Sequence, residues 1–286
     1  MERRSLKAPW WAIIAAKVVL SRLPIGYGVW QRLGLFRRGQ MDTSEYAIGV
    51  FDGHAEKADL TGQMHGKTIL ELGPGDSIAT AIIAASHGAK ALLVDAGSFV
   101  RSDVSSYLTL EKALRCRGLR PPDLSHCRDV DEILAKCHAR YLTNGLESLK
   151  AIEDQSVDVI FSQAVLEHIR TGEFVDMIRE CRRILKLGGT CSHEVDLRDH
   201  LGGALNNLRF SALVWESDFF AKSGFYTNRI RYSQMLELFR QAGFLVEVIA
   251  VHRWAECPTP RHRLAREVRD WQNDELCVSV FEVLLR

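Results

Sequence analysis

A glycine turn between an apolar run and a helical segment constrains this chain more than any other feature. Residues 68–70 open an apolar run that is typical of a buried parallel strand. Gly73 and Gly75 follow, and glycines there permit a tight turn with positive φ and close approach of a ligand. Ser77 can then cap a helix with apolar residues at helical spacing: Ile78, Ala81, Ile82 and Ala85. The order strand, turn, helix N-terminus predicts a nucleotide-type cofactor site in an open α/β sheet.

A carboxylate 22 residues after Gly73 narrows the choice of nucleotide. Residues 91–94 predict a second buried strand, and Asp95 at its tip is placed to accept hydrogen bonds from both ribose hydroxyls. A dinucleotide fingerprint needs a third glycine three residues after Gly75, where this chain has Ile78. The glycine spacing of a P-loop before Lys-Ser or Lys-Thr does not occur either.

The glycine turn and the acid resemble motif I and the acidic loop of the class I S-adenosylmethionine-dependent methyltransferases. The resemblance covers about residues 65–286 and continues through three further segments: 156–162, 165–169 and 174–189. The chain departs from the family at the third small position of motif I, where Ser77 replaces glycine.

The resemblance implies an α/β fold with a Rossmann-like seven-stranded sheet, mostly parallel, with an antiparallel last strand and helices on both faces. The final strands predicted from the sequence, 243–251 and 277–285, fit that ending. We expect an N-terminal helical cap over residues 1–64 and the methyltransferase domain over 65–286. Within it, the polar and aromatic insertion at about 201–228 has the character of a substrate-binding loop.

S-adenosyl-L-methionine is the cofactor that the resemblance implies. Asn144 and its two successors stand where the family usually has an acid that holds the adenine, and asparagine can also hydrogen-bond an exocyclic amine. The expected cofactor-binding residues are Glu71, Gly73, Gly75, Asp95, Asn144, Gly145, Leu146 and Gln163.

Methyl transfer from a sulfonium is an in-line displacement, for which the enzyme chiefly supplies alignment. If the acceptor is an alcohol, a general base is useful, and histidine is the usual choice. The candidates are His200 and His168, with Asp199 or Glu167 as orienting acids. A structural role for Glu167 and His168 fits the sequence equally well, and an amine or an activated carbon would need no base.

The segments 193–200 and 206–209 resemble those of bacterial methyltransferases linked to cell-surface glycan or lipid-glycan assembly. The resemblance implies O-methylation of a glycan, sugar or lipid-linked acceptor. The alternative is a small-molecule methyltransferase of quinone or natural-product type, acting on O, N or C, which residues 165–168 suggest. A non-catalytic cofactor-binding subunit is a third hypothesis, and the intact Gly73, Gly75 and Asp95 disfavour it.

Composition limits the partners and the metals. A net charge of +1 gives no general basic surface for nucleic acid. The seven cysteines form no C-x-x-C pair and are typical of reduced thiols in a cytoplasmic enzyme. Two groups of potential ligands, 126–138 and 193–200, match no recognised metal-ligand spacing, and we expect no metal.

Residues 1–40 differ from the remainder, with eight basic residues and a single acid, Glu2. Their apolar run is too short to cross a bilayer and is interrupted by Lys17. One interpretation is a basic, tryptophan-bearing helix in the membrane interface, which would place the protein peripherally at the inner face of the membrane. The other is a helix packed on the domain as part of a lid. The next helical segment, 44–60, carries Tyr46 and His54, which would line the cofactor cleft if it folds over it.

Overall fold

The structure, a computed structural model, describes residues 9–21, 41 and 43–286. The strands in this part of the chain are β1 Thr68–Leu72, β2 Lys90–Val94, β3 Arg140–Leu142, β4 Val157–Gln163, β5 Leu185–Asp196, β6 Val246–Arg253 and β7 Val278–Leu285. The α-helices are α1 Trp10–Ser21, α2 Ser44–Lys57, α3 Ala79–Ser86, α4 Ser105–Cys116, α5 Val130–Lys136, α6 Leu146–Lys150, α7 Thr171–Ile184, α8 Ala212–Trp215, α9 Asp218–Ala221, α10 Tyr232–Gln241 and α11 Asn273–Leu276. Short 3-10 turns occur at Leu166–His168, Asn206–Arg209 and Arg261–Arg263.

The seven strands form one sheet in the order β3-β2-β1-β4-β5-β7-β6. The first five strands pair in parallel. β7 inserts between β5 and β6 and is antiparallel to both. The seven-stranded, mostly parallel sheet with an antiparallel last strand is therefore confirmed, and its order reverses direction beside β1, where open α/β sheets bind their ligands.

Apolar cores cover both faces of the sheet, as a buried parallel sheet requires. On one face α2, α3, α4 and α5 pack over β1 and β2. On the other face α7 and α10 pack over β4, β5 and β7. The amphipathic helix α7 shows how the pattern specifies this layer, because it buries Phe174, Ile178, Cys181 and Ile184 at helical spacing.

One local boundary differs from the sequence prediction. α3 begins at Ala79 with Ile78 as its N-cap, and Ser77 contributes only an Oγ that accepts from the Ala79 amide at 3.2 Å. Gly188 and Gly189 lie inside β5, next to an irregular part of its pairing with β4. A side chain at Gly189 would come within 2.8 Å of the Asp158 carbonyl oxygen, so the close approach of the two backbones requires glycine there.

A third apolar cluster lies away from the sheet and joins α1 to the insertion. Ile14 and Val18 of α1 pack with apolar side chains of the insertion: Leu201, Trp215, Phe220, Phe225 and Tyr226. Part of the predicted cap, 1–8 and 22–40, lies outside the described residues. Within the described ranges, no helix combines the length and apolar character needed to span a bilayer.

Candidate active site

The glycine turn after β1 has positive φ angles and is packed against the Val165 side chain at Gly73. Gly73 and Gly75 both have φ of +67°, a conformation that favours glycine. The Gly73 amide donates to the Val94 carbonyl at 2.8 Å, which ties the turn to the end of β2. A Cβ on Gly73 would lie 2.6 Å from Cγ2 of Val165. The turn is therefore in direct contact with the segment that leads to His168.

Asp95 connects three loops at the carboxyl edge of the sheet. Its Oδ2 accepts from the Gly75 amide at 3.0 Å, and its Oδ1 accepts from the Ala96 amide at 2.7 Å. Its backbone amide donates to the Leu142 carbonyl at 2.9 Å, and its carbonyl accepts from the Gly145 amide at 2.8 Å. A carboxylate has about four lone-pair sites on its two oxygens, so these two hydrogen bonds do not by themselves saturate the group.

The third loop follows β3 at the same edge. Gly145 has φ of +51°, and a side chain there would contact Ala96 at 3.6 Å. The Asn144 side chain is exposed, and its backbone amide donates to Ser148 Oγ at 2.9 Å. Leu146 begins α6 and is half-buried. The structure thus brings Asn144, Gly145 and Leu146 beside the Asp95 loop.

Glu71 lies on β1 directly before the turn, in a fully buried position. Burial, followed by the charge of Asp95, raises the pKa of the Glu71 carboxyl to about 8. At neutral pH the group is therefore mostly protonated and can donate as well as accept. Its Oε2 is buried and has no hydrogen-bond partner within the described part of the chain. A buried acid with an unsatisfied oxygen beside a glycine turn fits a polar cofactor group.

At the end of β4, Gln163 is held by a histidine from the N-terminal helix α2. His54 Nε2 lies 3.1 Å from Gln163 Oε1, and His54 Nδ1 lies 2.7 Å from Ser192 Oγ on β5. Burial, followed by the charge of Lys57, lowers the pKa of His54 to about 4. α2 is therefore part of the packing at this edge. The next residue, Ala164, has φ of +52° without being glycine, a strained conformation at the strand end.

A second buried histidine occupies the opposite face of the same strand pair. His193 Nδ1 lies 2.8 Å from Ser162 Oγ, its neighbour in the β4–β5 register. Burial, followed by the proximity of His54, lowers the pKa of His193 to about 3. Burial alternates from His193 onward: His193, Val195 and Leu197 are buried, Glu194 and Asp196 are half-buried and Arg198 is exposed.

His168 and His200, the predicted bases, lie against each other at the mouth of β4 and β5. Their rings stack with centroids 4.8 Å apart, and their Nε2 atoms are 2.9 Å apart. His168 Nδ1 lies 2.7 Å from the Tyr226 carbonyl oxygen. A carbonyl only accepts, so His168 Nδ1 carries a proton, and in the neutral ring Nε2 accepts from His200 Nε2–H. In the neutral pair, His200 therefore has its lone pair on Nδ1.

The two predicted orienting acids are both buried. Asp199 Oδ1 accepts from the Leu201 amide at 2.8 Å and Oδ2 accepts from the Asn206 amide, so its carboxylate closes the loop after His200. Glu167 Oε1 is 4.0 Å from His168 Nε2. Burial raises the pKa of the Glu167 carboxyl well above its usual range.

Sequence reasoning identified the insertion but missed how it holds the His168 segment. Asn228 Nδ2 donates to the Leu166 and Ile169 carbonyls at 2.8 and 2.9 Å, and the Asn228 amide donates to the Glu167 carbonyl at 2.6 Å. Only the position of Asn228 at the end of a long polar insertion gave a signal. In the described ranges, no three potential ligand side chains are grouped to hold a metal ion.

The family comparison agrees with this geometry. Residues 70–192 match the family model described as a methyltransferase domain. Residues 70–192 therefore form a methyltransferase domain on the fold described above. The protein is thus a methyltransferase, and S-adenosylmethionine is its cofactor. The matched segment includes the glycine turn, Asp95, Gln163 and His168.

Solved structures similar to this methyltransferase share little sequence with it. An S-adenosylmethionine-dependent methyltransferase from Archaeoglobus fulgidus is 11% identical, with 83% of this chain and 93% of that chain covered and a TM-score of 0.44. A putative methyltransferase of the same type from Listeria monocytogenes is 20% identical, with 82% and 96% covered and a TM-score of 0.43. The search among curated proteins gives no match to the chain.

Proposed function

We propose that this methyltransferase O-methylates a glycan or lipid-linked acceptor, with a cytoplasmic location peripheral to the inner face of the membrane. In this proposal residues 65–286 are the catalytic domain and residues 1–64 are its cap. The observation that carries the proposal is the stacked His168–His200 pair, because an imidazole pair beside a methyl-donor site is what a hydroxyl acceptor would use. S-adenosylmethionine supplies the methyl group, which is carried on a sulfonium.

Asp95 is proposed to bind the ribose hydroxyls. The turn at Gly73 and Gly75 is proposed to contact the remainder of the cofactor. Asn144, Gly145 and Leu146 would flank the adenine, and the protonated Glu71 and Gln163 would hydrogen-bond its polar groups. The hydrogen bonds of Asp95 to the turn and to the third loop support a single preorganised site.

His200 is proposed as the general base and His168 as its positioning residue. His200 would take the proton of the acceptor hydroxyl as the oxygen–methyl bond forms and the methyl–sulfur bond breaks, which would leave the cofactor as a neutral thioether. His168 fixes the ring of His200 through the Nε2 contact, and Asp199 shapes the loop that presents it. Burial of Glu167, which raises the pKa of its carboxyl, favours the uncharged acid beside His168.

The ribose assignment is tested by calorimetric titration of S-adenosylmethionine into Asp95 variants. We expect Asp95→Ala to weaken binding by about 1.5–3 kcal/mol, or about 10- to 150-fold, because a charge-assisted hydrogen bond is lost. Asp95→Asn keeps an oxygen for the Gly75 amide, so it separates the ribose contact from the closure of the turn. Asp158→Asn is the control, since Asp158 pairs with Lys67 and Lys186 at the opposite edge of β4. Unchanged affinity in Asp95→Ala would remove Asp95 from the site.

The acceptor class is tested with the full-length protein and methyl-labelled S-adenosylmethionine. Cell material is divided into lipid-linked glycans, free glycans and small soluble metabolites, and mass spectrometry follows the label. We expect an O-methyl group in a glycan or lipid-linked fraction. Label confined to quinones or other small molecules would favour the alternative function, and the absence of all transfer with cofactor binding intact would favour a cofactor-binding subunit.

A further inference from the structure

Helix α2 contacts the ends of β4 and β5 through one buried histidine. The His54 ring lies against Phe161 of β4, with ring centroids 4.9 Å apart. Its two nitrogens contact different strands, because Nε2 lies 3.1 Å from Gln163 Oε1 and Nδ1 lies 2.7 Å from Ser192 Oγ. The ring is neutral at physiological pH, since burial lowers its pKa to about 4. A neutral imidazole has one donor and one acceptor nitrogen, so His54 donates one of these hydrogen bonds and accepts the other.

The sheet places Glu194 beside Gln163 on the face that α2 covers. Gln163 pairs with Glu194 in the parallel β4–β5 register. Ser192 contacts His54 and lies two residues before Glu194, so the Glu194 side chain points to the same face. Glu282 of β7 lies opposite Glu194 in the antiparallel register, and Lys57 Nζ of α2 pairs with Glu282 Oε2 at 2.6 Å. The α2 helix is therefore anchored to the β4–β5–β7 face on both sides of Glu194.

The Glu194 carboxylate determines the direction of the hydrogen bonds. Burial, followed by the charge of Glu282, raises the pKa of Glu194, and a side-chain hydrogen bond from Gln163 opposes that rise. An ionised carboxylate only accepts, so the Gln163 amide nitrogen faces Glu194 and its oxygen faces His54. His54 then carries its proton on Nε2, and its Nδ1 accepts from the Ser192 hydroxyl. The hydrogen bonds form one directed chain: Ser192, His54, Gln163, Glu194.

The direction of this chain decides which group Gln163 offers to a ligand. A glutamine amide has two N–H donors and one carbonyl oxygen. His54 takes the oxygen, and Glu194 takes one N–H. The part of the chain that the structure describes provides no acceptor for the second N–H, and Gln163 is only half-buried at the end of β4. With the amide reversed, the same position would offer an oxygen in place of this donor.

We propose that His54 is a positioning residue for cofactor binding. By donating to the Gln163 carbonyl oxygen, it holds the amide so that an N–H faces the cofactor cleft. The atom of S-adenosylmethionine that meets Gln163 is then an oxygen or a ring nitrogen, and not its ammonium group. This inference rests on the proposed cofactor role of Gln163 and extends it, because it makes α2 a functional part of the cofactor site.

Two substitutions of His54 each keep one of its two contacts. In His54→Gln the amide nitrogen takes the place of Nε2 and can still donate to Gln163. In His54→Asn the shorter side chain reaches only the position of Nδ1 and keeps the Ser192 contact. In calorimetric titration with S-adenosylmethionine, we expect His54→Gln to bind within about twofold of the wild type. His54→Asn should bind about 3- to 10-fold more weakly, the effect of one hydrogen bond between neutral groups.

His193→Asn is the matched control for His54→Asn. His193 is the buried histidine on the other face of the same strand pair, and its Nδ1 contacts Ser162. This variant loses a comparable buried ring, which thermal unfolding measures, and should keep the wild-type affinity for S-adenosylmethionine. An equal loss of affinity in His193→Asn and His54→Asn would overturn the inference, because a loosened core would explain both. Equal affinities in His54→Asn and His54→Gln would also overturn it.

Gln163→Leu separates this inference from the proposed role of Gln163. We expect it to weaken S-adenosylmethionine binding at least as much as His54→Asn does. Wild-type affinity in Gln163→Leu would remove Gln163 from the cofactor site, and the inference would fall with that assignment. Weak binding in Gln163→Leu with normal binding in His54→Asn would overturn the inference alone. The methyl acceptor takes no part in these titrations, so each outcome leaves the proposed O-methylation standing.

Nitrogen-15 NMR of histidine-labelled wild-type protein tests the direction of the chain without relying on the fold of a variant. At neutral pH, His54 should be uncharged and protonated on Nε2, and S-adenosylmethionine should leave this tautomer unchanged because the site is preorganised. The signal that disappears in His54→Gln assigns the residue. A wild-type His54 protonated on Nδ1 would reverse the chain, turn the Gln163 oxygen towards the ligand and overturn the inference.

Discussion

Two pairs of histidines lie within the same methyltransferase, one pair inside the sheet layers and one at its mouth. His54 and His193 are buried on opposite faces of the β4–β5 seam, bonded to Ser192 and Ser162. His168 and His200 are exposed and bonded to each other. Burial lowers the pKa of the inner rings to about 4 and about 3, which makes them neutral hydrogen-bonding groups at physiological pH. The same residue type therefore serves packing in one place, and in the other it lies at the solvent-exposed mouth where we propose proton transfer.

The contrast shows why position along a strand does not identify a base. His193 stands on the strand that leads to His200, yet its side chain points into the core formed by Phe239 and its neighbours. Removing a proton from an acceptor requires a ring that can carry positive charge afterwards, and a dry interior penalises that charge. The outer pair has access to solvent and satisfies this requirement.

The largest expected effect on turnover comes from removing the proposed base, His200, and it tests the contrast between the two histidine pairs. We expect His200→Ala to lower turnover about 10²- to 10⁴-fold, because general-base assistance typically contributes that much. S-adenosylmethionine affinity should stay near the wild-type value, since His200 is assigned to the acceptor side. Steady-state kinetics with the identified acceptor, together with calorimetry, give the two quantities.

His252→Ala is the control for His200→Ala, because His252 is an exposed histidine on the edge strand β6. It should keep wild-type turnover. Near-normal turnover in His200→Ala, in His168→Ala and in the double variant would show that alignment alone drives the transfer.

The next largest effect is on the free energy of unfolding at acidic pH, to which the buried pair, His54 and His193, contributes. Rings with lowered pKa values bind fewer protons in the folded state than in the unfolded state, so their contribution to stability is present above about pH 6.5 and is lost as the pH falls. For His54, with a folded pKa of about 4, the loss between about pH 7.5 and about pH 5 is on the order of 2 kcal/mol. Urea unfolding at the two pH values measures it.

A variant comparison isolates this contribution from other buried groups. Glu71 and Glu167 have raised pKa values and act with the opposite sign, since protonation stabilises the fold where these acids are buried neutral. We therefore expect His54→Gln to lose about 2 kcal/mol of the pH dependence relative to the wild type. His168→Ala should retain the wild-type dependence. An unchanged dependence in His54→Gln would mean that His54 is not buried neutral.

Local patterns in the sequence predicted the first strand, the glycine turn and the place of Asp95 after the second strand, and the structure has these elements. The seven-stranded sheet was implied by the family resemblance and is confirmed. The cofactor-binding residues assigned to this edge stay a prediction. The partners of His54 could not be predicted, since Gln163 and Ser192 are more than 100 residues distant in the chain. The positive φ of Ala164 could not be predicted either, because nothing about an alanine in a sequence indicates that conformation.

The His168–His200 pair was predictable from the sequence only in part. His168 and His200 were singled out individually by their place after β4 and β5, but sequence could not rank them. The ranking comes from a backbone atom, the Tyr226 carbonyl oxygen, whose position depends on the folding of the insertion. Every residue has a backbone carbonyl, so the sequence does not show which one acts as an acceptor. Only the structure shows that the Tyr226 carbonyl sets the direction of the hydrogen bonds in the His168–His200 pair.

The smallest expected effect concerns which ring nitrogen of His168 and of His200 carries the proton. In the wild type the neutral pair should have His168 protonated on Nδ1 and His200 protonated on Nε2, because each donor has an acceptor in that arrangement. His168→Leu removes the acceptor for His200 Nε2–H, and with it the contact that favours this tautomer of His200. We expect turnover to fall only about 2- to 10-fold, the cost of one hydrogen bond between neutral groups.

Nitrogen-15 NMR of histidine-labelled protein reads the tautomers directly, without reference to activity. His200 should show a protonated Nε2 in the wild type and a mixture of tautomers in His168→Leu. His168→Gln places an amide oxygen near the same donor and should restore the Nε2–H form together with most of the turnover. A wild-type His200 protonated on Nδ1 would reverse the direction of the pair and make His168 the better candidate for the base. A purely structural role for His168 would instead lower stability while leaving the His200 tautomer unchanged.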